Sequence, residues 1–74
     1  MSVQNYTAVL QREGDGYVAI CPELDVASQG DTVEKARDNL REAIELFLET
    51  ASAEEIRDRQ HREVFVTRLE VNVG

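Results

Sequence analysis

The sequence predicts one α+β domain of β-β-β-α-β order, with one main helix packed on a four-stranded mixed sheet. Three strand-like segments precede a long helical segment, that segment carries a single apolar stripe, and one further strand-like segment follows it. The chain has 74 residues, and a domain of this size buries only ~60% of its unfolded surface. We therefore expect one small core, built between the helix and the sheet.

The predicted strands are residues 3–11, 17–21, 26–29 and 64–73. The polar, glycine-containing residues 12–16 indicate a hairpin between the first two strands. Pro22 ends or interrupts the second strand because it has no N–H to donate to a neighbour. A right-handed crossover through the helix places the last strand beside the first, which predicts the sheet order 3-2-1-4.

Residues 30–50 predict the main helix because their apolar side chains recur at three- and four-residue steps. Thr32 or Asp31 can accept a hydrogen bond from a first-turn N–H, and Glu34 adds negative charge near the positive end of the helix dipole. The apolar stripe consists of Val33, Ala36, Leu40, Ala43, Ile44, Phe47, Leu48 and Ala51. This face is expected to pack on the sheet.

Ala53–Gln60 can form a short second helix before the last strand. Ser52 and Glu55 have the spacing of a capping box, and Ile56 is the main apolar contact of this helix. One helix covers only one face of the sheet, so the second face is exposed, covered by the short helix, or buried against another subunit. At this size we favour a homodimer or a higher homo-oligomer.

The charge of the chain argues against several classes of partner, although in most acidic domains such charge serves only solubility. Fifteen acidic and eight basic residues give a net charge of -7 at pH 7. Such a field repels nucleic acids and anionic membranes and attracts basic proteins, so we expect no direct nucleic-acid or membrane partner. Cys21 is the only cysteine and no signal peptide is recognised, which favours a reducing, cytoplasmic location.

No residue set supports catalysis, a metal site or a cofactor. The predicted order resembles the first part of a ribonuclease H fold, whose nucleases hold Mg²⁺ with carboxylates, one of them on the first strand. Residues 3–11 contain no Asp or Glu. Cys21 and His61 lie on different elements, and we interpret them as a core residue and an exposed polar residue. We therefore expect a protein that is not an enzyme.

Residues 16–49 resemble the HicB family of antitoxins and its small stand-alone relatives. The resemblance is carried by Gly-Tyr-Val-Ala at 16–19, Cys-Pro-Glu at 21–23, Gly-Asp-Thr at 30–32, Asn-Leu-Arg-Glu-Ala at 39–43 and Phe-Leu-Glu at 47–49. It implies a partial ribonuclease H-like fold without the catalytic acids. It also implies an antitoxin that binds and blocks HicA, a small basic toxin that cleaves RNA.

The chain departs from the family pattern in two places. Many members carry a C-terminal helix-turn-helix or ribbon-helix-helix domain, whereas this chain ends at Gly74. We therefore expect a single HicB-like domain over residues 1–74 and no DNA-binding domain. Residues 24–26, Leu-Asp-Val, stand where many relatives have a turn with proline or glycine, which alters the expected contact loop.

Two functions fit the sequence. The first is a HicB-like antitoxin that binds and neutralises a basic HicA-type RNase toxin. The alternative is a stand-alone oligomeric binding or adaptor domain without toxin-neutralising activity. The candidate partner contacts, at or beside strand ends and turns, are Tyr17, Glu23, Asp25 and Asp31. The same positions equally suit ordinary turn and edge residues, with Tyr17 packed in the core.

Overall fold

The described part of the chain forms three strands followed by two helices. The computed structural model describes residues 3–60 and 63–74. The elements in chain order are β1 (Val9–Glu13), β2 (Gly16–Cys21), β3 (Val26–Gly30), α1 (Val33–Thr50) and α2 (Ala53–Gln60). Residues 3–8 and 63–74 form neither helix nor strand. The order is β-β-β-α-α, so the predicted β-β-β-α-β order is wrong.

The sheet is antiparallel in the order β1-β2-β3. The turn between β1 and β2 contains Gly14 at φ +59°, a region that residues with a Cβ rarely enter. The turn between β2 and β3 joins the paired residues Cys21 and Val26 and contains Asp25 at φ +57°. Aspartate enters this region more readily than most side chains. Both hairpins therefore contain a residue suited to their backbone.

The predicted fourth strand is absent from the described residues. Residues 63–74 form no strand, and the side chains of Phe65 and Leu69 are each 84% exposed. The sheet is therefore neither mixed nor four-stranded, and the order 3-2-1-4 is wrong. Alternating apolar and polar residues show that a segment is suited to burying one face. A strand also needs the edge of another strand to pair with, and the alternation does not provide one. β1 also begins only at Val9, so the regular part of the first strand is shorter than predicted.

α1 has a defined cap at each end. The Oγ1 atom of Thr32 accepts a hydrogen bond from the Lys35 N–H at 3.0 Å, which confirms Thr32 rather than Asp31 as the N-cap. At the other end the Ala51 N–H donates to the Phe47 carbonyl at 2.8 Å. No helix among the described residues is both long and apolar enough to cross a membrane.

The core lies between α1 and the sheet. α1 packs chiefly on β3, less on β2, and hardly contacts β1. The buried side chains of the described residues are Ala19, Cys21, Leu24, Ala36 and Leu40. Because α1 lies toward β3, the sheet does not cover the whole apolar stripe. Leu40, Ile44 and Leu48 also line an open groove that faces residues 3–8.

Arg59 ties α2 to the body of the domain. Its guanidinium donates to the Leu24 carbonyl, pairs with the Glu55 carboxylate at 3.1 Å and lies 4.6 Å from the centroid of the Phe47 ring. The Glu55 N–H donates to the Ser52 Oγ at 3.1 Å, which caps the helix. α2 thus occupies the span predicted for a short second helix, and one cation joins it to a turn and to α1.

Candidate functional site

The four predicted contact residues lie at two ends of β2. Tyr17 is near its start, and Asp31 follows β3, whose last residue pairs with Tyr17. Glu23 and Asp25 lie in the turn after Cys21, at the other end. The four steps from Tyr17 to Cys21 span about 14 Å at ~3.4 Å per residue. The structure therefore brings Tyr17 near Asp31, and Glu23 near Asp25, but does not join the four in one surface.

The acidic groove is a shallow depression of about 510 Å³ at the Tyr17 end of the sheet. Its lining residues are Glu13, Gly16, Tyr17, Val18, Gln29, Gly30, Asp31, Lys35 and Asn39. Two carboxylates, those of Glu13 and Asp31, line this groove with one ammonium group, that of Lys35. The Asn39 side chain donates to the Gln29 carbonyl at 2.8 Å and so joins α1 to β3 at the groove. The walls are therefore fixed by secondary structure.

Tyr17 is half-buried and contacts both the core and its neighbouring strand. The ring packs against the buried cluster, and the Arg12 guanidinium lies 5.6 Å from the ring centroid. Arg12 Nη1 also donates to the phenol oxygen at 3.4 Å. Such a cation–π contact stabilises by about 0.5–1 kcal/mol at an exposed site. Tyr17 thus has the core contact that the sequence allowed and also lines the acidic groove.

Glu23 has a role inside the fold. Its carboxylate accepts the Thr7 N–H at 3.0 Å and the Thr7 hydroxyl at 2.7 Å, and the Cys21 thiol donates to it at 3.6 Å. Burial opposes ionisation, but the hydrogen bonds from the Thr7 hydroxyl, the Glu23 backbone and the Thr7 backbone outweigh it and lower the pKa of Glu23. We call this contact the Thr7–Glu23 link. It fastens residues 3–8 to the turn between β2 and β3, and nothing in the sequence pattern indicates it.

The Thr7–Glu23 link is expected to fail in acid. The pKa of Glu23 is lower in the folded protein than in the unfolded chain. The link therefore stabilises the fold fully above the pKa of an unfolded glutamate, ~4.3. This stabilisation is lost as the pH falls through the folded pKa. Glu23→Gln is expected to lower the free energy of unfolding by ~1.5–3 kcal/mol at pH 7. The difference from the unmodified protein should shrink at pH 3, as measured by urea unfolding.

The matched control for this prediction is Glu42→Gln, which removes an exposed carboxylate in the middle of α1. Its unfolding free energy should stay within ~0.5 kcal/mol of the unmodified protein at both pH values. A Glu23→Gln protein that behaves like Glu42→Gln would contradict the stabilising role of the link.

The described residues offer little reactive chemistry. Within residues 3–60 and 63–74, no three His, Cys, Asp or Glu side chains are grouped to hold a metal ion. Cys21 is fully buried, and its burial raises the pKa of the thiol despite an opposing hydrogen bond from the Leu24 backbone. A thiol of raised pKa is protonated at neutral pH and is a poor nucleophile. His61 lies outside the described residues.

The helix-flank groove, of about 740 Å³, lies between α1 and residues 3–8. Its lining residues are Val3, Gln4, Asn5, Tyr6, Thr7, Ala8, Arg37, Leu40, Arg41, Ile44, Glu45, Leu48 and Gln60. The Gln60 side chain donates to the Tyr6 hydroxyl at 2.9 Å and to the Gln4 side chain at 3.3 Å. This groove was not predicted from the sequence, although the width of the apolar stripe on α1 was a signal for it.

The chain is similar to several small bacterial proteins. It is 52% identical over 54 residues to "UPF0150 protein ssr1765" of Synechocystis sp., covering 70% of this chain and 68% of that protein. It is 47% identical over 45 residues to "UPF0150 protein ssl0738" of the same organism, covering 58% and 62%. It is 34% identical over 65 residues to a "UPF0150 protein" of Helicobacter pylori, covering 86% and 90%. No family model and no solved structure matches the chain.

Proposed function

Because the chain belongs to the UPF0150 family, we propose that it is a HicB-like antitoxin module that binds and neutralises a small basic RNase toxin of the HicA type. The resemblance of residues 16–49 to HicB sequences supports this proposal. We further propose that the protein acts in the cytoplasm, by binding and without catalysis.

The acidic groove is the observation that carries the proposal. It combines the carboxylates of Glu13 and Asp31 with the ring of Tyr17, on walls held by β2, β3 and α1. Tyrosine is enriched at the centres of protein interfaces, and carboxylates beside it attract cationic side chains. The net charge of -7 adds a long-range attraction for a basic protein, which raises the rate of association.

Neutralisation follows from competition for one surface. An RNase must bind the phosphates of its substrate, and Lys and Arg supply most of that affinity. Carboxylates that occupy the same cations exclude RNA because both ligands need the same positive charges. The proposed inhibitor therefore needs no catalytic group of its own.

The first test is a pull-down of the tagged protein from the lysate of its own cells at low and high salt, with mass spectrometry of the retained proteins. We expect a small basic protein that is retained at low salt and lost as salt screens the contact. That protein should cleave RNA, and added antitoxin should stop the cleavage. Recovery of a basic protein whose RNase activity is unaffected would contradict the proposal.

Charge reversal then locates the interface. Asp31→Lys is expected to weaken binding to the recovered toxin at least about tenfold in titration calorimetry, because it places a like charge opposite a cation. Asp25→Asn tests the other end of β2 by removing one negative charge, because asparagine, like aspartate, enters the positive-φ region that this turn requires. Glu23 is unsuitable for this purpose because its reversal would also break the Thr7–Glu23 link.

The matched control is Asp58→Lys on α2, which changes the net charge of the protein by the same amount at an exposed position outside the acidic groove. We expect its affinity to change much less than that of Asp31→Lys. Equal affinities for the two variants would remove the acidic groove from the interface.

A second candidate function is a stand-alone oligomeric binding or adaptor domain. The exposed apolar side chains of residues 63–74 favour it, since large apolar patches on a small protein mark interaction surfaces. We propose that the protein is a homodimer or a higher homo-oligomer in either case. A pull-down that recovers only the protein's own chain would favour this second function over the antitoxin.

A further inference from the structure

The C-terminal segment, residues 63–74, carries an apolar face that is uncovered in the single chain. Residues 64–66 form an apolar run, and from residue 68 apolar and polar side chains alternate, a pattern suited to an extended segment with one face buried. The exposed fractions are 84% for Phe65, 84% for Leu69, 69% for Val71 and 97% for Val73. Soluble proteins seldom leave such a face in water. A surface that covers it is therefore needed.

The opposite face of the C-terminal segment is apolar at Val64 and Val66, the latter 65% exposed, and polar from Arg68 onward. Arg68, Glu70 and Asn72 alternate with the apolar side chains and are exposed as well. With Glu63, the segment has two carboxylates and one guanidinium, a net charge of -1. A matching surface should therefore be apolar with a basic edge.

The helix-flank groove has this chemistry. Ile44 and Leu48 give it an apolar wall on α1, above the buried Leu40, and Arg37 and Arg41 add two positive charges. Glu45 is the one acidic residue that lines it, so its lining is positive although the whole chain is acidic. Arg41 also contacts Asp38 at 3.6 Å, at an exposed position where screening is strong. The groove thus suits the C-terminal segment in both polarity and charge.

We propose that the C-terminal segment of one copy docks in the helix-flank groove of a second copy, and that the second copy returns the contact. In the single chain the segment does not fill its own groove. Gln60 lines that groove, yet Phe65 and Leu69 further along the chain remain exposed. Each chain supplies one C-terminal segment and one helix-flank groove. Reciprocal docking about a two-fold axis therefore fills both grooves in a closed dimer.

The area of the contact favours the reciprocal arrangement. Phe65 can bury ~150–250 Å², and the three aliphatic side chains roughly 60–120 Å² each, so one segment buries on the order of 300–600 Å². Two segments and two groove surfaces then reach the ~1,200–2,000 Å² typical of a stable dimer, whereas one docked segment does not reach it reliably. This inference is independent of the antitoxin proposal, because neither surface belongs to the acidic groove.

The first experiment measures mass by light scattering as the protein is diluted. We expect two chains for the unmodified protein and one chain for Phe65→Asp/Leu69→Asp, whose dissociation constant should rise at least about a hundredfold. The matched control is Arg68→Asn/Asn72→Asp, which changes the charge by the same amount on the polar face and should stay dimeric. Both side chains replaced in the test variant are exposed in the single chain, so circular dichroism should show an unchanged fold.

A second experiment locates the docked segment. A nitroxide is attached to the new cysteine of Asn72→Cys, which leaves the buried Cys21 unlabelled, and this protein is mixed with unmodified protein labelled with nitrogen-15. We expect broadening of the amide signals of Leu40, Ile44 and Leu48 in the chain that carries nitrogen-15 and no nitroxide. If broadening occurs only when the nitroxide and the nitrogen-15 are on the same chain, the segment docks in its own groove and the proposal is wrong. A monomeric mass for the unmodified protein would also contradict the proposal. So would a dimer that survives Phe65→Asp/Leu69→Asp.

Discussion

Gly30→Ala is expected to lower the free energy of unfolding by about 3 kcal/mol, the upper end of the usual cost of overpacking, because the new methyl group has no space. A Cβ at Gly30 would lie 2.5 Å from the Ala36 nitrogen and 2.8 Å from the Lys35 carbonyl carbon. Both are backbone atoms in the first turns of α1, so no side chain can rotate to relieve the collision. β3 and α1 would have to move apart, which opens the core. Urea unfolding followed by circular dichroism measures the loss.

The comparison for this prediction is Gly14→Ala in the turn between β1 and β2. A Cβ there meets no atom within 4 Å, but the backbone has φ +59°. Its expected cost is therefore that of a left-handed conformation alone, about 1–2 kcal/mol. If Gly30→Ala costs no more than Gly14→Ala, the contact between β3 and α1 is looser than the structure shows.

Leu40→Ala should destabilise the protein by ~2–5 kcal/mol. Leu40 is only 2% exposed and belongs to the buried cluster with Ala19, Cys21 and Leu24. Domains have total stabilities of only ~5–15 kcal/mol, and a small core lies toward the lower end. A substantial unfolded fraction at 37 °C is therefore expected. Thermal and urea unfolding measure the effect.

Leu46→Ala is the control for Leu40→Ala, because it removes the same atoms from the same helix. Leu46 is 59% exposed, so its truncation should change the free energy of unfolding by no more than ~0.5 kcal/mol. Similar losses for the two variants would show that the hydrophobic face of α1 is not the one described.

The elements that the sequence predicted well are those specified locally. The Thr32 cap, the apolar stripe of α1 and the turn at Gly14 each depend on residues a few positions apart. Such features can be predicted from a single sequence because the residues that form them are close along the chain. Pro22 likewise marked the end of β2 correctly.

The features that the sequence did not reveal depend on distant contacts. Thr7 and Glu23 are sixteen residues apart and join an irregular segment to a turn. Arg59 reaches Leu24 over thirty-five residues, yet in the sequence it belongs to a mixed run of charges. The predicted fourth strand failed for a related reason, since residues 64–73 have the right pattern but no edge beside them in the described chain.

The structure brings together two of the four residues predicted as partner contacts, and their role in binding stays a prediction. Tyr17 and Asp31 share the acidic groove because the pairing of β2 with β3 and the start of α1 bring them to one end of the sheet. Glu23 and Asp25 have the same residue types and similar turn positions, but strand length separates them from that groove. Proximity to a turn in the sequence does not say at which end of a strand the turn lies.

The contacts of Arg59 affect how far the C-terminal segment can extend from the core. One guanidinium binds the Leu24 carbonyl and lies on Phe47, so its release would free both contacts together. The eight residues of α2 span about 12 Å as a helix but up to about 27 Å when extended. Melting this short helix would therefore more than double the length of its span before the C-terminal segment. We therefore expect loss of the Arg59 contacts to let the C-terminal segment extend farther from the core toward a neighbouring molecule.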